Sequence, residues 1–210
     1  MLHIFHTMFS NDLCELPNYG FLAITGQDIF KFLQGQLTCD MNLLTTEHPL
    51  WGSHCNPKGR MISLFRLFAY QGNVLLRMPQ TMIPIAEAAL KKYAVFFKVQ
   101  VLPWHHFSTP ATTLSPNEWK YQNLSDGIPA VYPETSERFI PQMLSLDKMG
   151  GVSFTKGCYT GQEIIARTQY RGELKRHLQL FETASLLTIQ PGDPLKIQDK
   201  TQTRMIGTVV

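Results

Sequence analysis

Lys156-Gly157-Cys158-Tyr159-Thr160-Gly161-Gln162-Glu163 sets one thiol between two glycines, directly ahead of the apolar run Ile164, Ile165, Ala166. Thr160 with Glu163 three residues later is a capping-box pattern, so a helix is expected to begin near Thr160 with Cys158 on the loop before it. A thiol in that place lies near the unpaired N–H groups and the positive end of the helix dipole, with Lys156 two residues away. Such settings draw a thiol pKa down from about 8.5 and favour the thiolate. Cys158 and Lys156 are therefore the candidate catalytic residues. Free cysteine is also among the most buried residue types, so spacing alone leaves a structural Cys158 open. Glycines here serve close approach to a ligand or an ordinary turn. Glu163 offers two oxygens to a ligand's amine and ring N–H, or serves capping alone.

Working outward, a helix over residues 137–149 is expected to end at Gly150-Gly151. Downstream, Arg167, Arg171 and Lys175 recur at i, i+4, i+8, either a basic stripe for phosphate or RNA or a solvated helix face. Residues 177–182, 195–198 and 205–210 read as short strands, interrupted by Pro191-Gly192-Asp193-Pro194. At the other end of the chain, a strand over 21–24 runs into Thr25-Gly26-Gln27-Asp28, another capping pattern, after which Ile29, Phe30, Leu33 and Leu37 share a helical face. Strands over 51–55 and 61–70 flank the turn Asn56-Pro57-Lys58-Gly59, and Gln71-Gly72-Asn73 reverses the chain into 74–78. Thr81 is expected to cap a helix to Tyr93 with Pro84 in its first turn, and Val95, Phe97, Val99 and Val101 to alternate as a strand. Residues 102–135, rich in Pro, Ser, Thr and Asn, read as irregular.

Composition narrows the class. Charged residues are 17% of 210 and hydrophobic ones 44%, which describes a globular chain with a sizeable core. A net charge of +3 is too small to argue nucleic acid or membrane by itself. Cys14, Cys39, Cys55 and Cys158 form no C-x-x-C, which argues against a zinc ribbon or a thioredoxin-type pair, and no metal site is expected. His105-His106 lacks a third ligand pattern. With no secretory leader pattern and no apolar stretch of membrane-spanning length, a cytoplasmic location with four free thiols is the expectation.

The eight residues 156–163, with Arg167 and Gly172-Glu173-Leu174-Lys175-Arg176, resemble the signature of the YgfZ family, KGCYTGQE followed by A-R and G-x-x-K-R. Phe32-Leu33-Gln34-Gly35-Gln36-Leu37-Thr38-Cys39-Asp40 is similar to that family's FLQGQ-x-T-x-D, and Asn56-Pro57-Lys58-Gly59-Arg60 to its D-x-K-G-R turn. Ile140-Pro141-Gln142, Leu146 and Gly150-Gly151 fit the segment ahead of the cysteine. The resemblance implies an α+β fold like the T-protein of glycine cleavage, with subdomains around a central tetrahydrofolate site, and a role in maintaining iron-sulfur enzymes, one of which thiolates tRNA. It implies that Cys158 is the functional thiol, that Glu163, Gln162 and Tyr159 belong to the folate site, and that Lys58 and Arg60 line it. The T-protein places acidic residues, one of them catalytic, where this chain has Asn56, Pro57 and Lys58. An amide is no carboxylate base, so classical aminomethyl transfer is not expected.

The sequence reading is thus an α+β chain with a T-protein-like subdomain over 1–101, a second subdomain over 102–176 carrying the cysteine motif, and the start of an incomplete C-terminal β-barrel over 177–210. Its expected function is a folate-binding accessory protein for assembly or repair of iron-sulfur enzymes, including tRNA thiolation. Folate and iron-sulfur client enzymes are the expected partners, with an indirect link to tRNA and none to membrane. The rival readings are a folate-dependent one-carbon or aminomethyl transferase and a tRNA-binding module using Arg167, Arg171, Lys175 and Arg176.

Overall fold

The computed structural model describes residues 13, 15–104, 115–181, 188–198 and 203–210. Strands β1 (Tyr19–Gly26), β2 (Leu50–Cys55), β3 (Met61–Tyr70), β4 (Asn73–Pro79) and β5 (Val99–Trp104) form one antiparallel sheet in the order β2-β3-β4-β1-β5. The β3–β4 hairpin turns on Gln71 and Gly72, both at positive φ (47° and 77°), as a two-residue hairpin of matching twist requires.

One sheet face presents Leu22, Ile24, Phe65, Leu67, Leu76 and Val101, and packs with two helices, α1 (Ile29–Gln36) and α2 (Ile83–Ala94), through Phe32, Leu33, Ala86 and Leu90. The same core continues into Val131, Phe139, Leu144, Leu146, Tyr159 and Ile165, so residues far apart in sequence share it. A smaller cluster on the other face joins Phe21, Ala23, Phe68 and Leu75.

Several local expectations shift. The α1 capping box does not form, because Gly26 still belongs to β1 opposite Val99, and the Asp28 carboxylate accepts Lys98 N–H at 2.9 Å instead of capping the helix. The buried face of α1 is Ile29, Phe32, Leu33 and Gln36, which turns Phe30 outward. A 3₁₀ turn over Gln80–Met82 displaces Thr81 from the cap of α2, though Pro84 does lie in the first turn. Val95 and Phe96 form a turn, and β5 begins only at Val99.

Part of the stretch read as irregular is a helix, α3 (Pro116–Ser125), with a complete capping box between Ser115 and Glu118 and Pro at its start. The helix expected over 137–149 is replaced by a 3₁₀ turn at Pro141–Leu144, with Glu137 and Ser145 at φ 59° and 58°; another 3₁₀ turn, Pro133–Thr135, precedes it. Pro141 lacks a donor and disfavours helix before it. Glu137 N–H donates to the carbonyl of Met61, whose own N–H donates to the carbonyl of Phe139, which draws this backbone alongside β3.

Helix α4 (Gln162–Arg171) follows the cysteine loop. The described part of 177–182 is not a strand. The C-terminal region contributes one hairpin, β6 (Pro194–Gln198) with β7 (Thr203–Thr208). Arg138 Nη1 ties its Gly192 carbonyl to the main body at 3.2 Å. Residues 1–12, Cys14 and His105-His106 lie outside the described residues.

Candidate functional site

The three motif segments meet at one junction. Lys156 Nζ donates to the carbonyls of Gln34, Leu37 and Cys39 at 2.8, 2.6 and 2.7 Å. These include carbonyls at the end of α1, where a cation is favoured by the helix dipole. Thr160 N–H donates to the carbonyl of Gly35 at 3.2 Å, and Ser153 N–H to that of Thr38 at 2.8 Å. Thr38 Oγ1 donates to the carbonyl of Gly151 at 2.6 Å and accepts from Ser53 N–H at 3.0 Å. In the turn after β2, Asn56 Oδ1 accepts from the backbone N–H of Lys58 and of Arg60 at 2.9 and 3.1 Å, which closes the loop.

Two glycines let this turn touch the start of α4. Gly161, the N-cap residue at φ 85°, lies so close that an added Cβ falls 2.6 Å from the Asn56 carbonyl and 2.9 Å from Gly59 Cα. Gly59, at φ 71°, meets Ile164 in the same way. The Gly161 backbone therefore starts the helix, with no side-chain cap from Thr160. Gln142 Nε2 donates to the carbonyl of Ile165 at 2.7 Å and holds the buried side of the helix.

On this frame Cys158 is exposed in a loop three residues before the N-cap, whereas Cys39 and Cys55 are buried. Burial pushes the Cys39 and Cys55 thiols up to about 12. Lys156 is half-buried with its three donors committed to carbonyls, and its ammonium stands 4.8 Å from the Tyr159 ring centre. Burial draws its pKa down to about 8, opposed by Cys39 and Asp40. Tyr159 is a core residue; burial raises its hydroxyl, which has no hydrogen-bond partner among the described residues. Glu163 is exposed and pairs with Arg167 at 2.7 Å, Gln162 is partly exposed, Lys58 is exposed, and Arg60 Nη1 donates to the carbonyl of Arg138.

A cleft lies elsewhere on the sheet. Tyr19, Trp51, Arg66, Arg77 and Trp119 line a shallow groove with an enclosed volume of about 20 Å³. Trp51 faces Arg66 across β2–β3, and Arg66 faces Arg77 across β3–β4, so two guanidinium groups and an indole stand in one row. Arg66 lies 5.0 Å from the Trp51 ring centre, and Arg77 lies 4.9 and 5.8 Å from those of Phe68 and Trp119. Burial, then the neighbouring Arg77, lowers Arg66 to about 10. Flat rings beside planar cations suit a flat, anionic ligand. The sequence reading missed this group, although an arginine within each of the apolar runs Leu64-Phe65-Arg66-Leu67-Phe68 and Leu75-Leu76-Arg77-Met78 was a visible signal. Among the described residues no cluster of metal-ligating side chains occurs. No helix among them is long and apolar enough to cross a membrane.

A scan against protein-family models gives no match. The chain is similar to the tRNA-modifying protein YgfZ of Hamiltonella defensa, at 30% identity covering 93% of this chain and 77% of the relative. It is similar to the tRNA-modifying protein YgfZ of Escherichia coli O157:H7, at 30% identity covering 94% and 80%. An uncharacterized protein of Haemophilus influenzae is 32% identical over 93% of this chain and 82% of its own length. The alignment with the Hamiltonella protein extends over 258 positions, more than the 210 residues here, so that relative has residues within the matched stretch without counterpart in this chain. Among solved structures, aminomethyltransferase T of the glycine cleavage system from Bartonella henselae aligns with a TM-score of 0.39 at 20% identity, over 41% of this chain and 24% of that one.

Proposed function

This chain belongs to the family of the tRNA-modifying protein YgfZ, and on that premise we propose that it is a folate-binding accessory protein that supports assembly or repair of iron-sulfur enzymes, including one that thiolates tRNA. The observation that carries the reading is the junction of three motif segments, which ties Lys156, Thr38 and Asn56 into backbone contacts and leaves the Cys158 thiol at the surface. Such an arrangement positions a reactive thiol on a rigid base.

In this proposal tetrahydrofolate lies with its flat ring system among Trp51, Trp119, Tyr19, Arg66 and Arg77. Trp51 and Cys55 are four residues apart on β2, about 13 Å, so the anionic tail runs along the β2–β3 hairpin toward Lys58 and Arg60. Gln162 and Glu163 add hydrogen-bonding groups near the thiol. The Asn56 amide, held by two backbone N–H groups, occupies the place of a carboxylate base, and this favours an accessory role over aminomethyl transfer.

The test is a tetrahydrofolate titration followed by tryptophan fluorescence, since Trp51 and Trp119 line the cleft. Saturable quenching is expected, weakened about tenfold in Arg66→Met. No binding at millimolar ligand by a folded protein would overturn the folate reading. Loss of iron-sulfur enzyme support in Cys158→Ala, with folate affinity retained, tests the thiol's part separately.

A further inference from the structure

We infer that the junction of α2, β5 and the start of α1 is a binding surface for single-stranded RNA, separate from the folate cleft and from the cysteine loop. The turn between α2 and β5 projects Val95 and Phe96, 76% and 79% exposed. Its neighbour Phe97 points the other way, its ring centre 5.4 Å from that of Phe32 in the core. This anchor fixes the turn and holds Phe96 outward. Phe96 N–H donates to the carbonyl of Tyr93 at 3.3 Å, which sets the ring directly after the last helical turn.

The start of α1 belongs to the same surface. Lys98 N–H donates to Asp28 Oδ2 at 2.9 Å, and the Lys98 carbonyl accepts from the N–H of Gln27 and Asp28. Phe30, 48% exposed, and exposed Lys31 follow within one turn of that contact. Each of the two segments joined by the Asp28–Lys98 contact therefore carries an exposed ring with exposed lysines close in sequence: Phe30 with Lys31, and Phe96 with Lys92 and Lys98. Of the acids in these segments, Asp28 accepts the backbone of Lys98, and Glu87 pairs with Lys91 at 2.6 Å.

An exposed ring accepts any base by stacking, and lysines beside it neutralise phosphates; this is the composition of surfaces that take single strands without strict sequence preference. The exposed large hydrophobic side chains of the junction are limited to Phe30, Val95 and Phe96. An amphipathic partner helix or a bilayer surface draws on a broader apolar face.

The native chain is titrated with labelled oligouridylate and, in parallel, with duplex RNA over a range of potassium chloride, reading fluorescence anisotropy. Preference for the single strand is expected. Phe96→Ala weakens it about tenfold, and replacing Lys92 and Lys98 by alanine lowers the slope of log affinity against log salt by about 0.7 for each lysine. Tetrahydrofolate affinity stays native in both variants, which separates this surface from the folate reading. Should a variant lose its native circular dichroism, ultraviolet cross-linking of the unaltered chain decides, with RNA-linked peptides expected from residues 92–98. Absence of RNA binding, native affinity in both variants, cross-links confined to other segments, or binding only to phosphatidylglycerol vesicles overturns the inference.

Discussion

His54 is a buried group whose protonation is expected to weaken the fold in acid. Its ring is buried edge-on to Tyr93, and neither nitrogen has a hydrogen-bond partner among the described residues. Burial, with Lys92 nearby, lowers its pKa from 6.5 to about 4. The unfolded chain therefore holds more protons between these values, and stability falls as pH drops through that window, by about 3 kcal/mol in total. Urea midpoints of the native chain and His54→Phe at pH 7.5 and 4.5 test this; an equal acid loss in both excludes His54 as the cause. Cys158 makes the contrasting case. Exposed and outside the core, it should cost about 1 kcal/mol or less on replacement by alanine. It should also alkylate faster than buried Cys39 and Cys55, and mass spectrometry of the labelled native protein reads the order directly. The thiol's loop was legible in the sequence because the glycines and the following apolar run are local. The partners of Lys156 were not, since carbonyls more than a hundred residues away leave no mark in its neighbours.

At the scale of elements, the cysteine loop depends on Lys156 and Gly161. An ammonium directs three donors at three converging carbonyls, a geometry the planar fork of arginine does not reproduce. Lys156→Met is expected to cost about 3 kcal/mol, from the loss of charged hydrogen bonds and the carbonyls left behind, and Lys156→Arg to recover less than half. Full stability of the methionine variant in urea denaturation would show the clip to be idle. Gly161→Ala forces a Cβ onto backbone at positive φ and should cost about 2–3 kcal/mol; a melting temperature equal to the native one refutes the close packing of hairpin and helix. Elements with local signals were readable: the β3–β4 hairpin, α2 with its proline, and the helix after Gly161. The Ser115–Glu118 box that starts α3 was present in sequence but obscured by the polar composition around it. Residues 137–149 looked helical, yet Pro141 and pairing with Met61 impose turns, a tertiary override absent from the periodicity.

For the molecule as a whole, the α+β class and family followed from motifs that fold together, whereas the aromatic and arginine cleft is assembled from β1 to β4 and α3 and has no contiguous signature. Under the folate proposal, binding in this cleft stabilises the fold by mass action, so saturating tetrahydrofolate is expected to raise the melting temperature, and Arg66→Met to blunt that rise. An unchanged melting temperature at saturation would remove the cleft from consideration. The residues that relatives carry inside the matched stretch, and this chain does not, make that measurement specific to this chain, because a site present here is built without them.

The bonds from Lys156 and Thr38 span 117–122 and 113 residues of chain. Contacts of such separation form slowly and only after the intervening polypeptide exists. During synthesis the first sheet emerges with its core incomplete, because Tyr159 and Ile165 are among the last residues to join it. Cys39 and Cys55 are buried in the core that Tyr159 and Ile165 join, so both are expected to alkylate faster in a chain truncated before Lys156 than in the whole chain. In the finished protein the late thiol, Cys158, is exposed, and the two earlier ones, Cys39 and Cys55, are sheltered.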